Sequence, residues 1–416
     1  PRAFLRGLFD AAVAAAMPER SVRAHLPPRP KGRTVVVGAG KGAAQLARAL
    51  EDAWDGPLEG VVVTRYGYAA PCARIEVLEA GHPEPDAAGL AAARRLLAAV
   101  EGLGPEDLVI ALIAGGGSAL LPCPPPGLTL EDEIAVNRAL LASGAPIAEM
   151  NALRKHLSAI KGGRLAAAAH PARVATLVVS DIPGDDPALV ASGPTVPDRA
   201  GPEAARAVVR RYGLVLPQAA RAWLDGEACR APDPADPAFA RDTVAVIASA
   251  AVSLEAAAAA AGAAGVAAAI LADAVEGEAR EVAKVHAAVA REIALRGRPF
   301  ARPVVLLSGG ETTVTLRGGG RGGRNGEFAL AFALAAEGLA GVTALAADTD
   351  GIDGSEDNAG AIVDGGTAAR IRAAGGDPRA LLDANDAWTA LDLAGDLLVT
   401  GPTGTNVNDF RAILVA

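Results

Sequence analysis

Six apolar segments of this chain are each followed directly by a loop of glycine or polar residues. This repeat limits the fold more than any other feature. Segments rich in valine, leucine and isoleucine and bounded by glycine are typical of buried strands. Helix-like segments separate several of them, which favours an α/β fold with parallel strands. In such sheets ligands bind beyond the carboxyl ends of the strands. The loops are residues 38–41, 115–118, 181–186, 318–325, 348–353 and 400–408.

The chain has 416 residues, which is too many for one ordinary core. We expect two Rossmann-like α/β domains with a cleft between them, residues 1–235 and residues 236–416. Prolines at 232, 234 and 237 mark the linker between the two series of strands and helices.

Composition limits the classes of partner. The net charge is −9 and aromatic residues make up 3%, so neither a basic surface nor a stacking surface for nucleic acid is expected. Three widely spaced cysteines favour a reducing compartment. The first residues do not resemble a signal peptide, and the longest weakly polar tract is mostly alanine. We therefore expect a cytoplasmic protein that is not in a membrane.

The loop at 318–325 combines five glycines with Arg321 and Arg324, between a strand and a helix. The preceding residues 304–307 and 312–316 have strand patterns, and Asn325 is placed to cap the helix that follows. Glycine amides and arginine forks together favour an anion site. The alternative is a flexible hairpin with solvated arginines.

The loop at 38–41 places Lys41 between a buried strand and a helix. The dinucleotide fingerprint fails because Ala43 stands where its third glycine belongs, and the next strand ends in Thr64 and Arg65 without an acidic ribose ligand. A Walker A loop is also absent from the sequence. Lys41 is therefore either an anion ligand or a solvated surface charge.

The loop at 115–118 ends in Ser118, where we expect a hydroxyl that donates to an anion. A serine hydrolase is the alternative, with His82 or His156 as the base, but Leu120 replaces the last glycine of the nucleophile elbow. Residues 151–166 predict an amphipathic helix that ends near Gly162. Its lysines, Lys155 and Lys161, either bind phosphate or form a solvated face.

Acidic and amide-rich turns follow three further strands. Those at 181–186 and 348–353 are suited to metal binding or proton transfer, although aspartate and glycine also favour plain turns. The turn at 400–408 carries hydroxyls and amides that either contact a ligand or satisfy one another.

These loops lie in motifs that resemble the class II glycerate kinases, or glycerate 2-kinases, over nearly the whole chain. The motifs are VVVGAGKG, GGGSALLPCP, LRKHLSAIKGGRLA, VSDIPGDDPALVASGPTVPD, LSGGETTVTLRGGGRGGRN, DTDGIDGSEDNAG and TGPTGTNVNDFR. The resemblance implies ATP-dependent phosphorylation of D-glycerate to 2-phosphoglycerate with Mg²⁺ or another divalent metal, in an interdomain cleft. It also implies a MOFRL domain at about 300–416.

The same resemblance places the catalytic lysine at Lys41, the catalytic aspartate at Asp181 and the catalytic arginine at Arg321. Gly326 stands where the family usually has glutamine, so a contact at the start of that helix is in question. We expect metal ligation from Asp350 and Asp353. Substrate or nucleotide contacts are expected from Gly40, Gly116, Gly117, Ser118, Lys155, Lys161, Asp185, Glu311, Arg324, Asn325, Thr405, Asn406 and Asn408.

Two other functions remain open at this point. Some relatives carry the label hydroxypyruvate reductase, so an NAD(P)-dependent reductase is the alternative enzyme, although the defective fingerprint argues against it. A non-catalytic protein that binds a sugar acid or nucleotide is the other. The expected partners are D-glycerate and ATP, bound by a monomer or homodimer.

Overall fold

The computed structural model describes residues 1–182, 184–197 and 199–416. Pro183, inside the predicted 181–186 turn, lies outside the described residues. The chain forms two compact units, one of residues 21–247 and one of residues 1–20 with 248–416. We call them the parallel-sheet unit and the mixed-sheet unit.

The strands and helices are numbered in chain order. The strands are β1 (Thr34–Ala39), β2 (Glu59–Arg65), β3 (Ile75–Ala80), β4 (Leu108–Ala114), β5 (Arg173–Val179), β6 (Thr243–Ala248), β7 (Ala267–Ala272), β8 (Gly277–Glu278), β9 (Val304–Gly310), β10 (Thr312–Thr313), β11 (Val342–Asp348), β12 (Gly360–Asp364), β13 (Leu397–Leu398) and β14 (Asp409–Val415). The helices are α1 (Arg2–Ala16), α2 (Pro18–Ala24), α3 (Ala43–Ala53), α4 (Ala87–Val100), α5 (Gly117–Leu120), α6 (Leu130–Ser143), α7 (Ile147–His156), α8 (Arg164–Ala169), α9 (Pro202–Arg211), α10 (Gln218–Asp225), α11 (Ala250–Ala263), α12 (Ala279–Arg296), α13 (Arg324–Ala335), α14 (Thr367–Ala373), α15 (Pro378–Asp383) and α16 (Ala387–Ala394).

The parallel-sheet unit is built on six strands in the order β3-β2-β1-β4-β5-β6. β1 and β4 are buried along their whole length, as their apolar sequences predict. α4 and α8 cover one face of the sheet and α3 covers the other. The strand order reverses between β1 and β4, and this is where an open α/β sheet forms its ligand crevice.

The mixed-sheet unit has the strand order β13-β12-β11-β14-β9-β7. The pairs along this sheet are antiparallel except β7 with β9. α12 and α13 pack on one face of it, and α1 and α11 on the other. The α/β class is confirmed in both units, and the mixed topology of the second is a feature that strand-like sequence alone did not show.

α1 belongs to the mixed-sheet unit although it begins the chain. Leu5, Leu8 and Phe9 are buried there, and the Phe9 ring meets the Phe410 ring edge-on with centroids 5.9 Å apart. The sequence-based boundary at 235/236 had grouped this helix with the N-terminal domain. Its sequence shows an apolar face but not which sheet buries that face.

Two predicted elements are shorter than expected. The strand at 312–316 extends only over Thr312–Thr313. The helix that was expected to end near Gly162 is α7, which ends at His156, and α8 begins at Arg164 after Gly162 and Gly163, which both have positive φ. Among the described residues, no helix is both long enough and apolar enough to span a membrane.

Candidate active site

The glycine turn, residues 115–117, lies at the carboxyl end of β4 beside the reversal point of the parallel sheet. A Cβ on Gly115 would lie 1.8 Å from Asp181 Oδ2. A Cβ on Gly116, whose φ is +79°, would lie 3.0 Å from both His82 Nε2 and Lys41 Cγ. Only glycine therefore allows a carboxylate to approach one part of this turn while two basic side chains approach the next.

Lys41 is held at this turn by its backbone. Its N–H donates to Gly115 O at 2.8 Å, and its carbonyl accepts from Thr64 Oγ1 at 3.0 Å. These bonds connect the loops after β1 and β4 to the end of β2. The side chain is partly buried, and whether it binds an anion stays a prediction.

Ser118 belongs to a hydrogen-bonded row of side chains. Ser192 Oγ donates to Asn151 Oδ1 at 3.0 Å, which leaves Ser118 Oγ to donate to Ser192 Oγ at 2.9 Å. Asn151 Nδ2 in turn donates to Leu189 O. Ser118 thus bonds to a hydroxyl, and His156 Nδ1 contacts the Ala152 carbonyl.

Lys155 and Lys161 are each only 1% exposed, so they do not form a solvated face. Lys161 Nζ donates to Glu133 Oε1 at 2.8 Å, and Glu133 also accepts from the Cys123 N–H. A buried lysine with a buried carboxylate partner supports the fold around it. Phosphate binding by either lysine stays a prediction.

Two acidic side chains follow β5. Asp181 is partly buried and borders Gly115, as described above. Asp185 has a φ of 51°, and its N–H donates to Ile182 O at 3.4 Å. Asp185 is therefore part of a tight turn, and a ligand contact from it stays a prediction.

In the mixed-sheet unit, charged side chains at the strand ends form an ion network of Glu311, Arg324, Asp348, Asp409 and Arg411. Arg324 donates to Asp409 Oδ1 at 2.6 Å, to Asp348 Oδ2 at 2.7 Å and to Glu311 Oε1 at 2.8 Å. Arg411 pairs with Asp409 Oδ2 and is fully buried. Each arginine thus already has carboxylate partners within the network.

Burial and ion pairing shift the pKa values of the groups in this network. Burial and the neighbouring Asp350 raise the pKa of Asp348 well above its usual value, although Arg324 opposes this. Burial opposes the charge of Arg324, but Asp409, Asp348 and Glu311 together raise its pKa. Burial lowers the pKa of Arg411 although Asp409 favours its charged form.

Three amides of the segment before α13 donate to side chains of another segment. Asn385 Oδ1 accepts from the N–H groups of Arg317 and Gly318, and Asp386 Oδ1 accepts from the N–H of Arg321. The Arg321 side chain is exposed, and its guanidinium lies 3.9 Å from the centre of the Trp388 ring. The arginine, rather than the loop backbone, is the group that faces outward here.

The N-terminus of α13 corrects the predicted cap. The helix begins at Arg324 with Gly323 as its N-cap, so Asn325 lies inside the first turn. Asp353 accepts from the N–H of Asn325 at 2.9 Å and from the N–H of Gly326 at 2.7 Å. A carboxylate distant in sequence therefore caps the helix, a contact that the local sequence pattern could not reveal.

The predicted metal ligands do not form a cation site of their own. Asp353 is buried in its capping role, and burial raises its pKa to about 6. Asp350 accepts from the Ile352 N–H and from Asn406 Nδ2. Within the described residues, no three His, Cys, Asp or Glu side chains are grouped so that they could hold a metal ion.

Polar groups of the turn at 400–408 form hydrogen bonds within the turn and with neighbouring segments. Thr405 Oγ1 donates to Ala16 O, and Asn406 Oδ1 accepts from the Asn408 N–H. The Asn408 carbonyl accepts from both N–H and Oγ1 of Thr349. These bonds favour the structural alternative for the turn, and ligand contacts there stay predictions.

Comparison with known proteins gives the family. The model described as "Domain of unknown function (DUF4147)" matches residues 4–225, and that of the MOFRL family matches residues 304–409. A D-glycerate 2-kinase from Thermotoga maritima is 40% identical over 399 residues, covering 95% of this chain and 94% of its own. This chain belongs to the glycerate kinase family.

Two further comparisons describe its place within the glycerate kinase family. The crystal structure of a glycerate kinase from Thermotoga maritima has a TM-score of 0.92 at 38% identity and covers all of both chains. A protein from Agrobacterium vitis, provisionally named a hydroxypyruvate reductase, is 55% identical over 419 residues and covers 100% of this chain and 94% of its own. The predicted family and fold are thus confirmed, and the named activities of its relatives differ.

The structure gives new surroundings to three residues. The sequence suggested His82 only as the base of a serine hydrolase and Arg65 only as a strand end, and it did not single out Trp388. Lys41 and Arg65 both lie close enough to His82 to lower its pKa, and Trp388 lies under Arg321. His82 follows the end of β3 by two residues and Arg65 ends β2. The strand that Arg65 ends was predicted from the sequence, but β3, which precedes His82, was not.

Proposed function

We propose that this protein transfers the γ-phosphoryl group of ATP to the 2-hydroxyl of D-glycerate and releases 2-phosphoglycerate and ADP. The observation that carries the proposal is the glycine turn, with Lys41 beside Gly116 and Asp181 beside Gly115. Phosphoryl transfer needs a cation for the moving group and a residue that orients the nucleophile, and Lys41 and Asp181 border neighbouring glycines of this turn. The name of the Thermotoga maritima relative supports the choice of substrate and hydroxyl.

In this mechanism the glycerate 2-hydroxyl oxygen attacks the γ-phosphorus. A new P–O bond forms and the bond to the β-phosphate oxygen breaks. An oxygen of the Asp181 carboxylate accepts the hydroxyl proton, and the Lys41 ammonium stabilises the charge on the transferring group. Glycine at 115 and 116 keeps Cβ atoms out of the space next to both side chains.

Arg321 is the proposed cation of the mixed-sheet unit. Its side chain is exposed, with Trp388 under the guanidinium and Thr389 Oγ1 at 3.3 Å. Arg324 is the less suitable of the two because three carboxylates already surround it. The expectation that both units contact one ligand in a cleft stays a prediction.

The family resemblance implies a divalent metal, but the residues predicted to hold it do not fit. Asp353 accepts two backbone N–H groups, and the described part of the chain contains no three-ligand cluster. No step is therefore assigned to a protein-held metal. Mg²⁺ commonly binds through substrate phosphates, so it is supplied as the ATP complex in the assays below.

Phosphorus NMR of the products tests the proposal. Incubation with D-glycerate and magnesium ATP is expected to yield 2-phosphoglycerate and ADP, whereas omission of D-glycerate leaves ATP intact. A 3-phosphoglycerate product would contradict the assigned hydroxyl, and no phosphorylated product would contradict the kinase. L-glycerate is the matched control for the substrate.

The alternative is an NAD(P)-dependent hydroxypyruvate reductase, which the name of the Agrobacterium vitis relative favours. Arg65 ends β2, where dinucleotide-binding folds often place the group that contacts the adenosine ribose, and an arginine near there suits a 2′-phosphate. Ala43 in place of the third fingerprint glycine argues against this activity. Oxidation of NADH or NADPH by hydroxypyruvate, with ATP unconsumed in the first assay, would establish the reductase instead.

A further inference from the structure

His82 lies at the glycine turn without a role in the mechanism above. The residue follows β3, and its Nε2 would be 3.0 Å from a Cβ on Gly116. The same Cβ would be 3.0 Å from Lys41 Cγ and 3.1 Å from Lys41 Cε. Because residue 116 is glycine, the space between the imidazole and the lysine is not filled by a side chain. His82 is itself only partly buried, so that space can be reached by solvent and by a small ligand.

Three basic side chains follow three adjacent strands here. Lys41 comes after β1, Arg65 ends β2 and His82 comes after β3. Within the part of the chain that the structure describes, neither Lys41 nor Arg65 takes part in an ion pair. The Arg65 guanidinium stacks on Tyr68 at 3.6 Å, and its buried Nε has no recorded hydrogen-bond partner. Among the described residues, Lys41 and Arg65 therefore have no carboxylate counterion, unlike the arginines of the ion network in the other unit.

Burial and two nearby positive charges keep the His82 imidazole neutral. Burial is the largest cause, followed by the positive charges of Lys41 and Arg65, and together they lower the pKa of His82 to about 4. The two acidic residues that follow His82 in the chain already have partners. Glu84 pairs with Arg138, and Asp86 accepts from Tyr66 Oη at 2.7 Å and from the Gly89 N–H at 2.8 Å. At neutral pH His82 thus offers one N–H donor and one acceptor nitrogen.

We infer that His82 contacts an oxyanion bound beside Lys41, either the carboxylate of glycerate or a phosphoryl oxygen of ATP. The inference deepens the proposed function, since both oxyanions are those of the proposed substrates. The neutral imidazole donates an N–H to the oxyanion. The bound negative charge offsets Lys41 and Arg65, so the pKa of His82 rises and the imidazole takes up a proton at mildly acidic pH.

Proton NMR of the imidazole C–H resonances tests this directly. The resonance of His82 is assigned by its loss in His82→Gln, and its pKa is measured without ligand and with D-glycerate, inorganic phosphate or ATP. The saturating oxyanion is expected to raise the pKa of His82 by at least about one unit. The resonance of His25, whose Nδ1 contacts the Ser21 carbonyl, is the control and should not move. If none of the three ligands shifts the His82 resonance or its pKa, the inference is overturned.

Steady-state kinetics identify which oxyanion is contacted. Loss of a hydrogen bond to a charged group corresponds to about 10- to 100-fold in affinity, so His82→Gln should raise the KM for one substrate by that factor. A rise confined to KM for D-glycerate assigns the carboxylate, and one confined to KM for ATP assigns a phosphoryl oxygen. KM values within twofold of those of His25→Asn would contradict the contact.

The NMR arm also separates this inference from the proposed function. If a ligand shifts the His82 pKa but no phosphorylated product forms, the contact stands and the kinase proposal fails. If product forms while His82 is unaffected by every ligand, the kinase proposal stands and the contact fails. Because both measurements use the full wild-type chain, a folding defect in the variant does not decide the outcome.

Discussion

Charged residues lie at the strand ends of both units, but their ion-pair partners differ between the two units. In the mixed-sheet unit Arg324 contacts three carboxylates, and Arg411 is buried against Asp409. In the parallel-sheet unit Lys41 and Arg65 have no such partners among the described residues, and glycines keep the space beside Lys41 open. The first set of charges is paired within the fold, and we propose that a ligand pairs with the second.

Because of this difference, glycine-rich loops of similar sequence can have different roles in the two units. Both units have a glycine-rich loop before a helix, and from sequence both suggest an anion site. In the mixed-sheet unit Asn385 and Asp386 accept from the N–H groups of residues 317, 318 and 321, and the Arg321 side chain is exposed. Composition alone therefore does not identify an anion site, because the partners of the backbone amides decide whether they are available.

The largest effect is expected at Asp181. Asp181→Asn removes the proposed proton acceptor while keeping the size of the side chain next to Gly115, and general base catalysis contributes about 10²–10⁴-fold. We therefore expect kcat to fall by that factor, with ATP affinity unchanged. Asp186→Asn, in the same turn, is the control. Near-normal turnover in Asp181→Asn would show that another acid accepts the proton.

The ion network should respond in stability instead. Asp409→Ala leaves Arg411 buried without its carboxylate partner and removes a contact of Arg324, so the free energy of unfolding should fall by about 3–5 kcal/mol. Urea denaturation measures this. Asp10→Ala, which breaks an exposed pair with Arg6, is the control and should change stability by less than about 1 kcal/mol. Equal effects in the two variants would refute the structural role of the network.

Lys41 should show the opposite behaviour. Lys41→Ala removes a cation with no ion-pair partner in the described structure, so stability should change little. The loss of one preorganised charge should raise the activation free energy by about 2–4 kcal/mol, seen in kcat/KM. Lys31→Ala, at an exposed lysine of the same unit, is the control. A large stability loss with retained kcat/KM would show that Lys41 stabilises the fold and does not contribute to catalysis.

A smaller effect is expected at Asp242, a carboxylate of the parallel-sheet unit. Its Oδ1 accepts from the Val174 N–H, but its buried Oδ2 has no recorded partner, and burial raises the pKa from 3.8 to about 6. The folded state thus favours the protonated form, so this group contributes stability that is full below pH 3.8 and is lost as the pH rises through about 6.

Asp242→Asn keeps the acceptor and removes the charge. Its Tm advantage over the wild type should therefore be absent near pH 4 and should grow between pH 4 and 7. Thermal unfolding across that range measures it, with Asp233→Asn, at an exposed aspartate, as the control. A Tm difference that does not depend on pH would show that the pKa of Asp242 is the same in both states.

Much of the parallel-sheet site could be predicted from local pattern. Lys41 and Gly115 each follow a buried apolar strand, and parallel strands bring such loops to one edge of the sheet. The Lys41 to Gly115 hydrogen bond is the direct result. The family resemblance added the roles of Lys41, Asp181 and Arg321, which residue types alone left open.

The remainder depends on contacts between segments far apart in sequence. Asp353 caps α13, and Asn385 holds the Arg317 and Gly318 amides from 67 or more residues away. Nothing in either segment indicates its partner, because a short polar turn is compatible with solvent, ligand or another loop. The packing of α1 on the mixed sheet could not be predicted from the sequence for the same reason.

The stacking of Arg321 on Trp388 also provides an optical signal. The chain has only three tryptophans, Trp54, Trp223 and Trp388, and Trp388 lies with its ring 3.9 Å from a guanidinium carbon. A cation against an indole face alters the emission of that ring, so a ligand that draws Arg321 away should change the intrinsic fluorescence. Trp388→Phe should abolish that change while leaving the loop anchored through Asn385 and Asp386. Titration of the unlabelled protein would then report, in real time, when the arginine leaves its aromatic partner.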